Sequence, residues 1–110
     1  MPNLKIHVSD SVWNNKAADL TGLLRPIREL LCSEFHVEPE ACQLAIIPVH
    51  GLPDQPEVAV EIQIMPRSER TRDQISAVGQ KLQVLLREVT GSRVAVRVSA
   101  LDPVTYVALK

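Results

Sequence analysis

Pro2-Asn3-Leu4-Lys5-Ile6-His7-Val8, directly after Met1, decides how the rest of the chain is read. Leu4, Ile6 and Val8 alternate with Asn3, Lys5 and His7, the period of a strand with one buried face. A strand beginning at residue 2 pins the terminus to the edge of a core instead of letting it fray. The small second residue permits removal of Met1, which would leave Pro2 as a free secondary amine, a base that no internal residue supplies. With Met1 retained, Pro2 is a tertiary amide without basicity. The same pattern returns after Pro56, where Val58, Val60, Ile62 and Ile64 alternate with Glu57, Glu61 and Gln63.

Between these strands, Ser9-Asp10-Ser11 is turn chemistry, because short polar side chains satisfy nearby backbone groups, and Trp13-Asn14-Asn15 continues as loop. Ala17, Leu20, Leu23, Leu24, Ile27, Leu30, Leu31 and Phe35 keep helical spacing. Pro26 lacks an N–H and clashes with the carbonyl of Gly22, so the expected helix covers residues 17–36 with a bend near Gly22. Cys42 to Val49 reads as the second strand, with Pro48 marking its end or a sheet edge. Residues 51–56 hold Gly51, Asp54 and two prolines and form the connector.

The second half repeats the order. Thr71 and Gln74 have capping-box spacing, with Ser68 as a competing earlier cap. Ile75, Val78, Leu82, Leu85, Leu86 and Val89 form one helical stripe, stopped by Gly91. Residues 93–101 make a strand carrying Val94, Val96 and Val98 on one face and Arg93, Arg97 and Ser99 on the other. After Asp102-Pro103, residues 104–109 suit a short final strand.

The expected fold class is α+β: two tandem βαβ units, about residues 2–50 and 56–101 of a single domain 1–110, with a C-terminal tail 102–110. The units are offset by about 50 to 55 residues. Right-handed crossovers make each unit's strands parallel and put both helices on one face of a four-stranded mixed sheet. The other face is then bare. It is expected to carry much of the alternating apolar set and to be covered by association, as in a trimer.

Composition removes several function classes. In 110 residues the net charge is −1, with one Trp, one Tyr and one Phe, so neither a basic field nor a stacking platform for nucleic acid exists. No apolar run approaches the roughly 20 residues of a membrane span and no leader pattern is present, so a cytoplasmic protein is expected. Cys32 and Cys42 lack Cys-x-x-Cys spacing and read as buried, reduced thiols. His7, His36 and His50 have no ligand spacing, so neither a metal nor any other cofactor is expected.

This layout, with proline after the initiator, resembles the tautomerase superfamily. It is most like the 5-carboxymethyl-2-hydroxymuconate isomerases, with the double-unit plan also found in macrophage migration inhibitory factor. The residues that carry the likeness are Pro2 with its strand, Ser9-Asp10, Ala18-Asp19-Leu20-Thr21-Gly22-Leu23, Arg67-Ser68, Leu101-Asp102-Pro103 and Ala108-Leu109-Lys110. The resemblance implies a trimer that ketonises an unsaturated 2-hydroxy acid of aromatic catabolism, with the Pro2 amine as general acid and base.

It also implies substrate contacts. Arg67-Ser68 matches an arginine-serine pair that precedes a helix in the superfamily, and a guanidinium fork suits a carboxylate. Arg97, in Val96-Arg97-Val98, matches a strand segment that carries a catalytic arginine in 4-oxalocrotonate tautomerase. Tyr106 is placed to donate to an enol oxygen or to pack at a subunit contact. Gln43 and Ala45 occupy strand positions where the isomerase-like pattern carries arginine, and Gln43 hydrogen-bonds an oxygen without neutralising it. Two alternatives stand beside the enzyme: a non-catalytic trimeric binding or scaffold protein on the same fold, and a monomeric ferredoxin-like binding module.

Overall fold

A computed structural model describes residues 2–110. Strand β1 (Asn3–Ser9) leads into helix α1 (Asp10–Phe35), and a 3-10 turn at Pro39–Ala41 precedes β2 (Gln43–Val49). After the connector come β3 (Val58–Ile64), α2 (Arg72–Thr90) and β4 (Val94–Ala100). The sheet order is β2-β1-β3-β4. β1 runs parallel to β2 and β3 parallel to β4, while the central β1/β3 pair is antiparallel. This is the expected α+β double βαβ arrangement.

The alternation in the sequence sorts onto the two faces of the sheet. Leu4, Ile6 and Val8 of β1 and Val58, Val60, Ile62 and Ile64 of β3 are buried beneath the helices. Leu20, Ile27, Leu31 and Phe35 of α1 and Val78, Leu82 and Leu86 of α2 close over them. The edge strands contribute Leu44, Ile46, Val96 and Val98, partly buried against the same core.

The open face therefore does not carry the alternating apolar set. It presents Lys5, His7, Glu61 and Arg97 among Ala45, Ile47, Val49, Ala59 and Ala95. One register row aligns Ala45, Lys5, Glu61 and Arg97, with the charges alternating in sign. The cause is core volume. Two helices use up the apolar side chains of the central strands and leave the polar ones facing out.

α1 starts earlier than its apolar spacing suggests. Ser9, in an extended conformation, is the N-cap, and Asp10 supplies a carboxylate to the first turn, where the helix dipole favours it. Val12 is buried, so residues 10–15 are helix with a core-facing side and not the expected turn and loop. The break falls at Lys16 (φ −127°, ψ 17°), not at Gly22. Pro26 and Gly22 are both exposed, and the proline rides inside the helix on its solvent side. His36 takes the left-handed C-cap and its following N–H returns to the Cys32 carbonyl.

α2 follows the sequence more closely. The Thr71 side chain accepts from the Gln74 N–H at 3.2 Å, so Thr71 and not Ser68 is the cap. Gln74 does not complete a capping box; its amide donates instead to the Glu34 carbonyl of α1 at 2.6 Å. Gly91, at φ +67°, holds the left-handed C-cap that an L side chain adopts only with strain. Pro48 lies within β2, which is an edge strand, so its missing N–H faces no partner.

The expected last strand does not form. The Asp102 side chain accepts from the Val104 N–H at 2.9 Å and its carbonyl accepts from the Tyr106 N–H at 2.9 Å, coiling the chain into a turn. Beyond it, Val104, Tyr106, Val107 and Leu109 are exposed.

Candidate active site

The antiparallel β1/β3 pair brings the start of β1 and the end of β3 to one end of the sheet. Asn3 lies opposite Gln63, so the continuing register sets Pro2 beside Ile64. On the other side, the Pro2 carbonyl accepts from the Gln43 N–H at 3.1 Å. Pro2 is buried and has the parity of Leu4 and Ile6, on the helix side of the sheet. Met1, on whose removal a free Pro2 amine depends, lies outside the described residues.

Arg67 sits in the loop that leaves β3 directly opposite Pro2, and it is exposed. α2 begins at Arg72, so Arg67 stands in the loop ahead of the helix rather than at its N-terminus. Arg70 holds this loop in shape. Arg70 is 6 % exposed, and its guanidinium donates to the Met65 carbonyl at 2.6 Å and the Phe35 carbonyl at 3.1 Å and lies 5.3 Å from the Phe35 ring centroid. Burial, then the neighbouring Arg67 charge, lowers the Arg70 pKa. The Glu69 carboxyl is held below its ordinary value by its own backbone N–H and by the Ser68 hydroxyl. Arg67 is thus the exposed cation of this loop, with Arg70 committed to carbonyls.

Gln43 begins β2, its backbone beside Pro2 and its exposed side chain on the open face of the sheet with Asn3. It lines a groove of about 460 Å³ between α1 and β2, together with Thr21, Leu24, Arg25, Arg28, Cys42 and Leu44. Arg25 and Arg28 were not singled out from the sequence. Their signal was present as the Arg25-Pro26-Ile27-Arg28 spacing, which puts two cations on the helix flank beside the buried Ile27.

Arg97 and Tyr106 are not brought to Pro2 within the chain. Arg97 is level with Lys5, three residues and two strands from Pro2, about 10 Å along each direction. It also projects from the opposite face of the sheet. Tyr106 is 40 % exposed. The tail that carries it leaves from the correct end, because the Leu101 N–H donates to the Ile64 carbonyl at 2.8 Å.

Cys32 and Cys42 approach to 3.7 Å between sulfurs beside this groove, half-buried rather than buried. Cys42 stands just before β2, as the cap of the 3-10 turn. Burial and the Cys32 thiol push the Cys42 thiol up to about 11, against the opposing pull of Arg28. The folded state thus keeps this thiol protonated where the unfolded chain, titrating near 9, loses the proton. Stability is expected to fall as pH rises from about 9 towards 11, and Cys42→Ala is expected to flatten that fall in urea titrations.

The other end of the sheet holds a second groove of about 450 Å³ lined by His7, Ser9, Ser11, His50 and Glu57 among others. His50 Nδ1 lies 2.6 Å from the Asp10 carboxylate, in open solvent where such a pair contributes little. Among the described residues, no group of three His, Cys, Asp or Glu side chains is arranged to hold a metal ion. None of the helices is long and apolar enough to cross a membrane.

Comparison with known proteins places this geometry. No family model matches the chain. No curated protein matches it in sequence. Solved structures do match over nearly its whole length. A macrophage migration inhibitory factor-like protein from Entamoeba histolytica superposes with a TM-score of 0.68 at 9% identity, covering 97% of this chain and 94% of that one. N1, a member of the cis-3-chloroacrylic acid dehalogenase family, gives 0.71 at 14% identity, covering 96% and 79%. Pt0534 inactivated by 2-oxo-3-pentynoate gives 0.74 at 16% identity, covering 94% and 89%. At these identities the likeness is one of fold, and it is consistent: the chain shares the double βαβ fold of these proteins.

Proposed function

We propose that this chain is a proline-dependent tautomerase that ketonises an unsaturated 2-hydroxy acid, of the 5-carboxymethyl-2-hydroxymuconate type. The observation that carries the proposal is the position of Pro2. It is buried at the sheet end, tied to Gln43 on one side and overlooked by the Arg67 loop on the other. Enzymes among the structural neighbours support it, including one inactivated by an unsaturated 2-oxo acid.

With Met1 removed, the Pro2 nitrogen takes the proton of the substrate enol. The O–H electron pair becomes the new carbonyl π bond, and the displaced C=C pair collects a proton at carbon from the prolinium. No atom is lost from the substrate. An α-amino group titrates near about 8, and desolvation with neighbouring guanidinium groups lowers it towards neutrality, where a base is both free and reversible. Arg67 holds the carboxylate next to the enol, and Gln43, on the open face with Arg97, donates to an oxygen only at a neighbouring subunit's site.

A homotrimer in the cytoplasm belongs to the same proposal. Both edge strands are unpaired, the open face mixes alanine and branched apolar residues with charges, and the apolar tail is exposed. Arg97 and Tyr106 then serve a neighbouring subunit's Pro2. A second reading, a non-catalytic scaffold, is favoured by Arg97 facing away from Pro2. Intact mass of the untagged protein separates them. The tautomerase requires a mass short by one methionine; a mass that includes Met1 leaves Pro2 a tertiary amide without basicity and selects the scaffold.

A further inference from the structure

We propose that Cys32 and Cys42 are a reversible oxidation site, closing into an intrachain disulfide that clasps the last turn of α1 to the start of β2. The proposal stands apart from the tautomerase reading, because neither thiol takes part in that chemistry.

Three observations carry it. The two sulfurs lie 3.7 Å apart, in contact with each other. Closing to the roughly 2.0 Å of a disulfide asks less than an ångström of each sulfur, within reach of small χ1 rotations. Both cysteines are also anchored in ordered backbone. The Cys32 carbonyl accepts from the Val37 N–H at 3.3 Å, and the Cys42 N–H donates to the Pro39 carbonyl at 3.1 Å. A helix C-cap and a 3-10 turn lie between them, so the fold sets the thiols face to face before any bridge exists. Finally, the pair is reachable. Both thiols are half-buried, and Cys42 lines the open groove between α1 and β2, which admits a small oxidant. The chain has no third cysteine to compete as a partner.

The exchange balances with a low-molecular-weight disulfide such as oxidised glutathione. One protein thiolate attacks it, forming a mixed disulfide and expelling one glutathione thiolate. The second protein thiolate, already in contact, displaces the other. The two thiol protons pass to the two glutathione molecules, and the protein gives up the two electrons that the oxidant gains. Because the second step is intramolecular, the mixed disulfide does not accumulate. Burial and the Cys32 thiol push the Cys42 thiol up to about 11, against the pull of Arg28, so the thiolate is scarce at neutral pH and closure is slow. The clasp therefore answers a sustained change in the thiol pool rather than a brief one.

Closure restricts the unfolded chain over residues 32–42 while the folded loop is already ordered, which stabilises the fold. Cys42 also precedes Gln43, whose N–H bonds the Pro2 carbonyl, so the bridge steadies the strand beside Pro2.

The test incubates the full chain with oxidised glutathione and reads its intact mass. The mass is expected to fall by two hydrogens without a glutathione adduct, and dithiothreitol is expected to restore it. No Lys or Arg lies between Arg28 and Arg67, so both cysteines share one tryptic peptide; cleavage after Glu34, Glu38 and Glu40 instead leaves them on fragments joined only by the bridge. The urea midpoint of the oxidised protein is expected to rise by roughly 1 M, and exchange of the Gln43 amide is expected to slow about 10-fold. Cys42→Ser, treated in the same way, should show no rise. A stable glutathione adduct, a cross-link between chains, two unreacted thiols, or a midpoint that does not rise overturns the clasp. A rise in Cys42→Ser overturns it as well, by tracing the effect to something other than the bridge. A Gln43 amide that exchanges as before overturns the link to the strand beside Pro2.

Discussion

Replacing Pro2 by alanine is expected to lower kcat/KM for ketonisation of a 2-hydroxymuconate-type dienol by about 10²- to 10⁴-fold, the usual range for removing a positioned general acid and base. Alanine also permits removal of the initiator, so the variant keeps a terminal amine. What it loses is the secondary amine and the ring that fixes its direction. The backbone bond from the Gln43 N–H to the residue 2 carbonyl needs no proline, so the ladder at the end of β1 survives. The melting temperature should therefore stay close to that of the parent. Stopped-flow absorbance of dienol decay, with thermal melts of both proteins, checks the pair of outcomes. Retained turnover in a folded variant ends the proline mechanism.

The second large effect is on stability. Arg70→Ala is expected to destabilise the protein by about 2–4 kcal/mol, read as a lowered urea midpoint. Removing the guanidinium strands the part-buried carbonyl of Met65 and the buried carbonyl of Phe35, which it joins across the α1 C-terminus and the β3–α2 loop. It also removes a cation from the face of the Phe35 ring. Arg70→Lys should recover only part of the loss, because a single ammonium cannot span both carbonyls with the geometry of a planar fork. The same variant should raise KM more than it lowers kcat, since it loosens the loop that aims Arg67 without touching Pro2. A midpoint unchanged in Arg70→Ala would mean that the loop is held by something other than this bridge.

The elements with strict periodicity were legible in the sequence. β1 and β3 alternate without a fault, and α2 carries a complete stripe between Thr71 and Gly91, so their positions followed from period and cap chemistry alone. α1 was half legible. Its first six residues offer only Val12 as a buried anchor, and Ser9-Asp10-Ser11 satisfies a turn as readily as an N-cap. Only packing against the core decides between them. The tail misled for the opposite reason. Val104, Tyr106 and Val107 have strand propensity, but Asp102 captures the local N–H groups first.

The site divides along the same line. Pro2, the start of β2 at Gln43 and the end of β3 that leads to Arg67 lie at the same end of the sheet, which topology fixes, while parity puts the Gln43 side chain on the opposite face from Pro2. Arg97 and Tyr106 were picked by likeness and stand elsewhere in the chain, because parity and register put Arg97 on the far face. Arg25 and Arg28 escaped notice because a helix reading follows its apolar stripe, and these two lie on the flank that only the neighbouring strand defines.

The antiparallel junction of β1 and β3 has a consequence for stoichiometry. The second βαβ unit has its own proline, Pro56, ahead of its first strand, at the far end of the sheet beside Ser9, whose N–H donates to the Glu57 carbonyl at 2.9 Å. Yet Pro56 follows Gln55 through a peptide bond, and an amide nitrogen has no proton to exchange. On the proposed function, joining the two halves in one chain gives each sheet two similar ends, of which only the Pro2 end would react. The proposed assembly would then carry one such end per polypeptide, half the number that separate half-length subunits would provide, and would leave the Pro56 end a structural role alone.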